Sequence, residues 1–477
     1  MTNRFVRSLF LILYIAISVG CTAPTPTSTP TPLPTPVAGS SGIGDPYYPD
    51  WGNGGYDVQS YTISLDIDPP ANTIRGSTII QATASEYLSP FNLDFHGLIV
   101  DSVTVNDAVA QFSRNEDELT IMPASPLEVN DSFSVAVEYH GSPELFKSQA
   151  FPYYSMGWSH AENGAINVIG EPEAASSWFP NNNHPSDKAT YRFEITVPNP
   201  WIVAATGTLK DTKSNEENTL FIWEMDKPMA TYVASISIDQ YEIVTQSGPN
   251  GLTIRNYFPI DFPAERRINY NSLAAMIDLF DDFFGPYPFE EYGVVVASKD
   301  GWCAATDMAL EAQSMSVHCP GGYGSSEFVI EHELAHQWFG NSVSLENWKD
   351  VWLKEGFATY ADWLWESKSD PVALMRIAKR EQRNFLDNPR YSVAEPSPDD
   401  LYTDSSYIGG ALVLQGLRLE VGDETFFDIL RTYVERYQYG VAGTDEFIDL
   451  AKEVSGKDLK PFFDKWLFSK TIPKLPE

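Results

Sequence analysis

The chain is poor in several kinds of residue, and each shortage narrows the range of possible functions. It has only three cysteines in 477 residues, with no CxxC pair that would indicate a cysteine metal site. Basic residues are also scarce, since 31 lysines and arginines stand against 65 aspartates and glutamates, a formal net charge of -34. Because this charge repels phosphate backbones, we expect no nucleic-acid partner. The same charge attracts cationic ligands, such as the protonated amine of a peptide.

The N-terminus lacks an apolar run long enough to cross a bilayer comfortably. The run over residues 9–19 is shorter than the roughly 20 residues that a span requires. It follows Arg4 and Arg7 and precedes Gly20 and Cys21, which is the layout of a secretory signal peptide over residues 1–20. The sequence therefore predicts that the folded part lies outside the cytoplasm.

Cys21 directly follows this apolar run and a small residue, and this segment resembles the lipobox of bacterial lipoproteins. The resemblance implies a lipidated Cys21 at the mature N-terminus, although Ser18 stands where the motif usually has leucine. A plain signal peptide or an uncleaved signal anchor is the alternative. We expect a cell-surface lipoprotein or a secreted protein that contacts the membrane only through its lipid or signal anchor.

Outside the cytoplasm, Cys303 and Cys319 would meet an oxidising environment. A disulfide that closes the short loop between them is one interpretation. Two inert, buried thiols are the other.

Composition divides the rest of the chain into three parts. Residues 21–45 are rich in proline and threonine and predict an extended linker. Residues 46–247 contain short alternating runs such as "YTISLDI" and "SFSVAVEY" between turn residues, which indicates an antiparallel β domain. Residues 248–477 mix longer helical segments with a strand-like "GVVVAS". The predicted fold class is α+β with two domains.

Histidine is scarce too, with seven in the whole chain, yet two of them lie four residues apart in "VIEHELAHQWFGN". Ser325 and Ser326 can cap a helix here, and Gly340-Asn341 predicts its end. His332 and His336 would project from one face of that helix and could bind one zinc ion. Glu333 would lie beside the ion without binding it, as a general base does.

A catalytic zinc site needs a third protein ligand and an open position. Glu355 follows His336 after 18 residues, in the helical segment "WLKEGFATYADW", and could supply that ligand. Asp362 lies two turns further along the same helix and could accept a hydrogen bond from a ligating histidine. A solvated helix face is the alternative for Asp362, and two accidental histidines on an exposed helix are the alternative for the motif.

The segment "HELAHQWFGNSVSLENWKDVWLKEGFATYAD" resembles the zinc-site signature of the aminopeptidase N family, also called the gluzincin aminopeptidases. The resemblance runs over about residues 56–466. It implies an N-terminal saddle-like antiparallel β domain over 46–247 and a thermolysin-like mixed α/β zinc domain over 248–477. It also implies a short form of the family, because longer relatives continue into a C-terminal helical domain.

The resemblance assigns three further roles. Glu311 in "MALEA" corresponds to the family glutamate that binds the substrate's free α-amine, although the flanking glycine and asparagine of that segment are missing. Glu171, with Glu173 as the second choice, corresponds to the residue of the β domain that reaches the same amine. Tyr407 corresponds to the tyrosine that stabilises the oxyanion.

These residues together predict a zinc-dependent aminopeptidase that binds one Zn²⁺ ion and removes single N-terminal residues from peptides with a free N-terminus. Zinc-activated water would attack the first peptide bond, with Glu333 as general base and Tyr407 at the oxyanion. Two alternatives stay open at this stage. One is an endopeptidase on the same scaffold, and the other is a surface binding module that has lost catalysis.

Overall fold

The structure is a computed structural model that describes residues 35–387 and 391–476. The predicted signal peptide, the lipidation site at Cys21 and most of the predicted linker lie outside these ranges. From Pro36 onward the chain forms one compact unit. Within the described ranges, no helix combines the length and the apolar character needed to cross a membrane.

The N-terminal part is built from sixteen strands. They are β1 (Tyr56–Asp68), β2 (Thr73–Ala84), β3 (Phe91–Asp94), β4 (Ile99–Val105), β5 (Ala108–Val109), β6 (Gln111–Asn115), β7 (Glu118–Met122), β8 (Ser132–Gly141), β9 (Leu145–Lys147), β10 (Ser155–His160), β11 (Ile166–Ile169), β12 (Ala189–Pro198), β13 (Ile202–Ala205), β14 (Thr208–Ser214), β15 (Asn218–Met229) and β16 (Ile236–Asp239).

These strands form three sheets. The largest has eight strands in the order β14-β15-β12-β1-β2-β8-β4-β5, and the others have the orders β13-β16-β11-β10-β9 and β3-β7-β6. Most pairs are antiparallel, but β1 and β12 run parallel. The alternation that predicted strands is visible in β1, where Tyr61, Ile63 and Leu65 are buried and the residues between them are partly exposed. The predicted N-terminal antiparallel β domain is confirmed.

Among its described residues, the C-terminal part contains seven strands and nine α-helices. The strands are β17 (Tyr241–Ser247), β18 (Thr253–Pro259), β19 (Glu291–Val296), β20 (Ala309–Leu310), β21 (Met315–His318), β22 (Ser344–Leu345) and β23 (Val441–Ala442). The helices are α1 (Leu273–Phe284), α2 (Trp302–Thr306), α3 (Glu327–Ala335), α4 (Trp352–Glu366), α5 (Pro371–Asp387), α6 (Gly410–Val421), α7 (Asp423–Tyr437), α8 (Thr444–Ser455) and α9 (Lys460–Trp466).

Five of these strands form a mixed sheet in the order β17-β18-β19-β21-β20, in which β18, β19 and β21 are parallel. The mixed α/β catalytic fold predicted for this part is confirmed. The structure moves one boundary, because β17 pairs antiparallel with β18 and belongs to this second sheet. The sequence placed residues 241–247 in the first domain, since alternation identifies a strand but not its partner.

The predicted linker over residues 21–45 also needs correction at its C-terminal end. Asp45 is 2 % exposed, and its carboxylate accepts hydrogen bonds from the backbone N–H groups of Tyr48 (2.9 Å) and Trp348 (2.8 Å). Val37 donates its N–H to the carbonyl of Tyr87. The last residues of the linker therefore pack against both parts of the fold.

A half-buried lysine joins the N-terminal sheets to the catalytic part. The ammonium of Lys188 donates to the carbonyls of Asn341 (2.8 Å), Ser342 (3.0 Å) and Gly440 (3.2 Å). The carbonyls of Asn341 and Ser342 lie in the loop after α3, and the carbonyl of Gly440 lies directly before β23. The contact therefore fixes the N-terminal sheets against the loop that follows the predicted zinc helix.

Close backbone contact positions α4, the helix that contains Glu355. A Cβ atom at Gly356 would lie only 2.6 Å from Cα of Gly410, so a side chain there would push α4 away from α6. The π-helical turn Ser405–Gly409 directly precedes α6. Gly356 therefore allows the turn Ser405–Gly409, which contains Tyr407, to pack closely against α4 next to Glu355.

Candidate metal centre and active site

Helix α3 presents the two histidines. The Ser326 side chain caps it by accepting a hydrogen bond from the N–H of Val329 (3.4 Å). The helix ends at Ala335, earlier than the Gly340-Asn341 stop that the sequence predicted. The backbone tightens after His336, because Gln337 and Trp338 bond to carbonyls three residues back.

Glu355 on α4 meets both imidazoles. Its Oε2 atom lies 3.3 Å from Nε2 of His332 and 3.4 Å from Nε2 of His336. Two ligand atoms that each lie about 2.0–2.1 Å from one ion, at the tetrahedral angle, are about 3.3–3.4 Å apart. The three side chains therefore fit one tetrahedral zinc ion.

The other ring nitrogen of each histidine is already bonded. Nδ1 of His332 lies 3.0 Å from Oδ2 of Asp362, and Nδ1 of His336 lies 3.0 Å from the carbonyl of Phe339. Both acceptors fix the protonated Nδ1 tautomer, which leaves Nε2 free to bind a metal. Asp362 is 1 % exposed, so it does not lie on a solvated helix face. Burial lowers the pKa of His332, but the Asp362 and Glu355 carboxylates raise it more, to well above its ordinary value.

Glu333 follows His332 but takes no part in this set of ligands. One of its carboxylate oxygens lies within 4.8 Å of ligand atoms of Glu311 and His336. Burial raises the pKa of Glu333 well above its usual range, and neighbouring acids add to this effect while His332 opposes it. A cation bound to the adjacent histidines would favour the ionised carboxylate.

Two acids from different parts of the chain converge beside Glu355. Glu171 follows β11 in the N-terminal part, and Glu311 follows edge strand β20. Oxygens of Glu171, Glu311 and Glu355 lie within 4.8 Å of one another. Glu173, the second choice from the sequence, instead accepts hydrogen bonds from Ser148 (2.9 Å) and the N–H of Gln149 (2.6 Å).

Lys354 holds these acids together and was missed by the sequence analysis. Its fully buried ammonium lies 2.5 Å from Glu171, 2.7 Å from Glu311 and 2.6 Å from Oε1 of Glu355. Burial opposes ionisation of Glu311, but Lys354 and His336 outweigh it and lower the pKa of that carboxyl. Burial and Glu311 raise the pKa of Glu171 to about 8 against the opposing effect of Lys354.

Two tyrosines complete the site. The ring of Tyr407 stacks at 5.9 Å from the ring of His332, and Tyr402 donates its hydroxyl to Glu171 (2.9 Å). Both line a cavity of about 290 Å³ that also contains the predicted metal ligands and Glu333. Tyr402 was missed because a tyrosine in a loop gives no sequence signal of its partner. The cavity walls are otherwise largely apolar, formed by side chains such as Phe151 and Met156.

Cys303 and Cys319 form a disulfide, the first of the two interpretations of the sequence. The bond joins α2 to the residue directly after β21. Trp302, next to Cys303, lines the site cavity, and so do Met308 and Leu310 from the segment that the disulfide encloses. The disulfide therefore encloses the chain segment that contains both Glu311 and β21.

An HExxH helix, a glutamate from a second helix and an acidic cavity together form a candidate site of a metal-dependent hydrolase. Comparison with known proteins narrows this class. Residues 57–233 match the "Peptidase M1 N-terminal domain" and residues 269–466 match the "Peptidase family M1 domain". The chain belongs to peptidase family M1, the aminopeptidase N family of zinc metallopeptidases. The family predicted from the sequence is confirmed.

Solved structures with the same architecture include the M1 zinc metallopeptidase of Deinococcus radiodurans. It is 29 % identical, with a TM-score of 0.83 over 91 % of this chain and 99 % of its own. A mutant of it, crystallised with a Tyr-Ser-Ala substrate, has a TM-score of 0.84, with 91 % of this chain and 99 % of that chain covered.

Curated relatives are longer. Human glutamyl aminopeptidase is 25 % identical over 66 % of this chain and 36 % of its own length. Aminopeptidase N of Lactococcus lactis is 24 % identical over 86 % of this chain and 50 % of its own. The chain thus spans about a third to a half of the length of these two relatives.

Proposed function

We propose that the protein is a zinc-dependent aminopeptidase that removes single residues from peptides with a free N-terminus. The single observation that carries this proposal is the juxtaposition of two sites in one cavity. His332, His336 and Glu355 form a metal-binding set, and Glu355 also lies beside the acids Glu171 and Glu311. A peptide amine held by those acids would place its first peptide bond next to the metal-binding set.

One zinc ion fits the site, because the two histidines and Glu355 bring three ligand atoms within 4.8 Å. A zinc ion held by these residues would supply Lewis acidity, which would lower the pKa of a water molecule at the site to about 7. Glu333 would accept the proton of the attacking water and return it to the leaving amine. Tyr407 would donate a hydrogen bond to the developing oxyanion.

The amine site selects for a free N-terminus. Of the three acids that face the single ammonium of Lys354, Glu311 and Glu355 have lowered pKa values, so negative charge is left for a substrate ammonium even where Glu171 is protonated. A charge-assisted hydrogen bond of this kind contributes about 1.5–3 kcal/mol. An acetylated N-terminus loses this interaction and leaves buried carboxylates without their partner. We further propose that the protein acts outside the cytoplasm, an inference supported by the disulfide between Cys303 and Cys319.

The test compares aminoacyl substrates with their N-acetyl forms on purified protein, with and without chelator and zinc. We expect turnover of the free-amine substrates only, loss with chelator and recovery with added zinc. Equal turnover of both substrates contradicts the amine site, and cleavage inside blocked peptides instead indicates the endopeptidase alternative. Binding of peptides without any zinc-dependent turnover indicates the binding module.

A further inference from the structure

An acidic groove lies next to the active-site cavity, between α1, the start of α3 and the end of α4. We define it by five acids and one aromatic residue: Asp278, Asp282, Glu327, Glu331, Glu366 and Phe328. Its volume is about 810 Å³, and it is open to solvent. None of these residues has a role in the proposed aminopeptidase chemistry.

Most of these acids lack a basic partner. Glu366 pairs with Arg380 at 3.3 Å, and Lys368 also lines the groove. The carboxylates of Asp278, Asp282 and Glu327 are exposed and form no ion pair among the described residues, although Arg431 donates to the backbone carbonyl of Asp282 (3.3 Å). Each of the helices α1 and α3 thus presents acids four residues apart, an arrangement that destabilises a helix by itself.

A buried acid at the floor of the groove also lacks a partner. Glu331 is 3 % exposed, and its Oε2 atom has no hydrogen-bond partner within the described part of the chain. A carboxyl oxygen buried without a hydrogen-bond partner is unfavourable. Glu331 lines the groove, so a cationic group entering from solvent can supply the missing donor.

A single metal ion does not explain the groove. Groups of three metal-ligating side chains with atoms within 4.8 Å of one another occur in the described residues only around the active-site histidines and acids. The groove acids are more widely spread, as suits a long, flexible organic cation such as an arginine side chain. Phe328 is 46 % exposed, so its ring is accessible to a guanidinium.

The groove adjoins the active-site cavity, because Phe328 lines both. The axis of helix α3 gives the direction from the active site to the groove. His336 lies beside Glu311, and moving toward the N-terminus the helix passes His332, then Val329 and Phe328. At 1.5 Å per residue, His336 and Phe328 are separated by about 12 Å along the axis, the reach of about four extended peptide residues.

We propose that the acidic groove binds basic side chains at positions 3 to 5 of the substrate, counted with the N-terminal residue as position 1. This proposal rests on the proposed aminopeptidase function and names the substrate class, namely peptides with arginine or lysine downstream of the cleaved bond.

The experiment measures kcat/KM for six-residue peptides that share the same N-terminal residue and contain either arginine or alanine at position 3, 4 or 5. Exposed ion pairs are individually weak, so we expect a preference for arginine of about fivefold at the best position in low salt. The preference should fall in 0.5 M NaCl, because salt screens exposed charges over about 3–10 Å.

Two double variants with the same change in net charge separate the groove from the general field. In D278N/E327Q the arginine preference should fall to about one, while turnover of the alanine peptide stays unchanged. In the control E86Q/E128Q, whose exposed acids lie in the N-terminal domain, the preference should be kept. No preference in the wild type at any position, or an equal loss in both double variants, overturns the proposal.

Failure of the proposed function is a separate outcome. If the wild type hydrolyses neither peptide, the aminopeptidase proposal is wrong, and the groove is then tested by binding of fluorescently labelled arginine and alanine peptides. Tighter binding of the arginine peptide that is lost in D278N/E327Q supports the groove. Equal binding of both peptides overturns it.

Discussion

The ammonium of Lys354 lies 2.6 Å from Oε1 of Glu355, the carboxylate whose other oxygen faces the two imidazoles. Lys354 thereby orients a metal ligand and, through the same atom, contacts the acids of the amine site. It connects the two halves of the proposed mechanism. A residue that supports a metal ligand in this way contributes to metal affinity although it does not touch the metal.

Replacing Lys354 by methionine should therefore lower zinc affinity by about 10- to 100-fold. Competition with a chromophoric chelator measures this affinity directly. The control is Lys465→Met, which removes an exposed lysine on α9. Unchanged zinc affinity in Lys354→Met would show that Glu355 is oriented without the lysine.

The amine site predicts different results for two neighbouring glutamates. Glu171→Gln should lower kcat/KM for aminoacyl substrates by about 10- to 100-fold, the equivalent of a lost charge-assisted hydrogen bond. Glu173→Gln should leave it within about twofold, because Glu173 bonds to Ser148 and Gln149 outside the cavity. Steady-state kinetics on both variants checks the assignment, and a larger loss in Glu173→Gln would reverse it.

The metal set was predictable from the sequence, but its surroundings were not. The spacing of His332 and His336 is helical, so periodicity alone places them on one face, and Glu355 follows in another helical segment. Lys354 contacts Glu171 and Glu311, residues 183 and 43 positions away in the chain. Local sequence pattern cannot predict contacts between residues so far apart in the chain. One signal was present, since a lysine in the apolar segment "WLKEGFATY" needs buried acidic partners.

The fold shows the same limit. Alternation predicted strands such as β1 because one face of each sheet is buried. It could not assign β17 to the second sheet, because that assignment depends on pairing with β18. The predicted end of α3 was also wrong, since the helix ends at Ala335 and the backbone tightens at Gln337 and Trp338 before it reaches Gly340.

Tyr407 should act only in the transition state. Tyr407→Phe keeps the ring that stacks on His332 and removes the hydroxyl. The loss of one oxyanion donor lowers kcat by about 10²- to 10³-fold, and KM should change little. A change confined to KM would instead assign Tyr407 to substrate binding.

Burial of Asp187 predicts an unusual pH dependence of stability. Burial raises the pKa of this carboxyl to about 8 in the folded protein. The unfolded-state pKa is about 3.9. Because the folded-state pKa is higher, the contribution of Asp187 to the free energy of unfolding is present at low pH and is lost as pH rises toward 8.

Asp187→Asn removes this titration. Between pH 5 and 7, the free energy of unfolding of the wild type should fall by up to about 1.4 kcal/mol per pH unit relative to the variant. Chemical denaturation at several pH values measures the difference. Parallel stability profiles of the two proteins would show that Asp187 is ionised in the folded state.

The central claim is that His332, His336 and Glu355 hold a single zinc ion. Anomalous diffraction from crystals of the zinc-loaded protein, collected on both sides of the zinc absorption edge, tests it most directly. We predict one peak, about 2.0–2.1 Å from Nε2 of each histidine and from Oε2 of Glu355. A peak between Glu171, Glu311 and Glu355 instead, or no zinc signal in the cavity, would contradict the account.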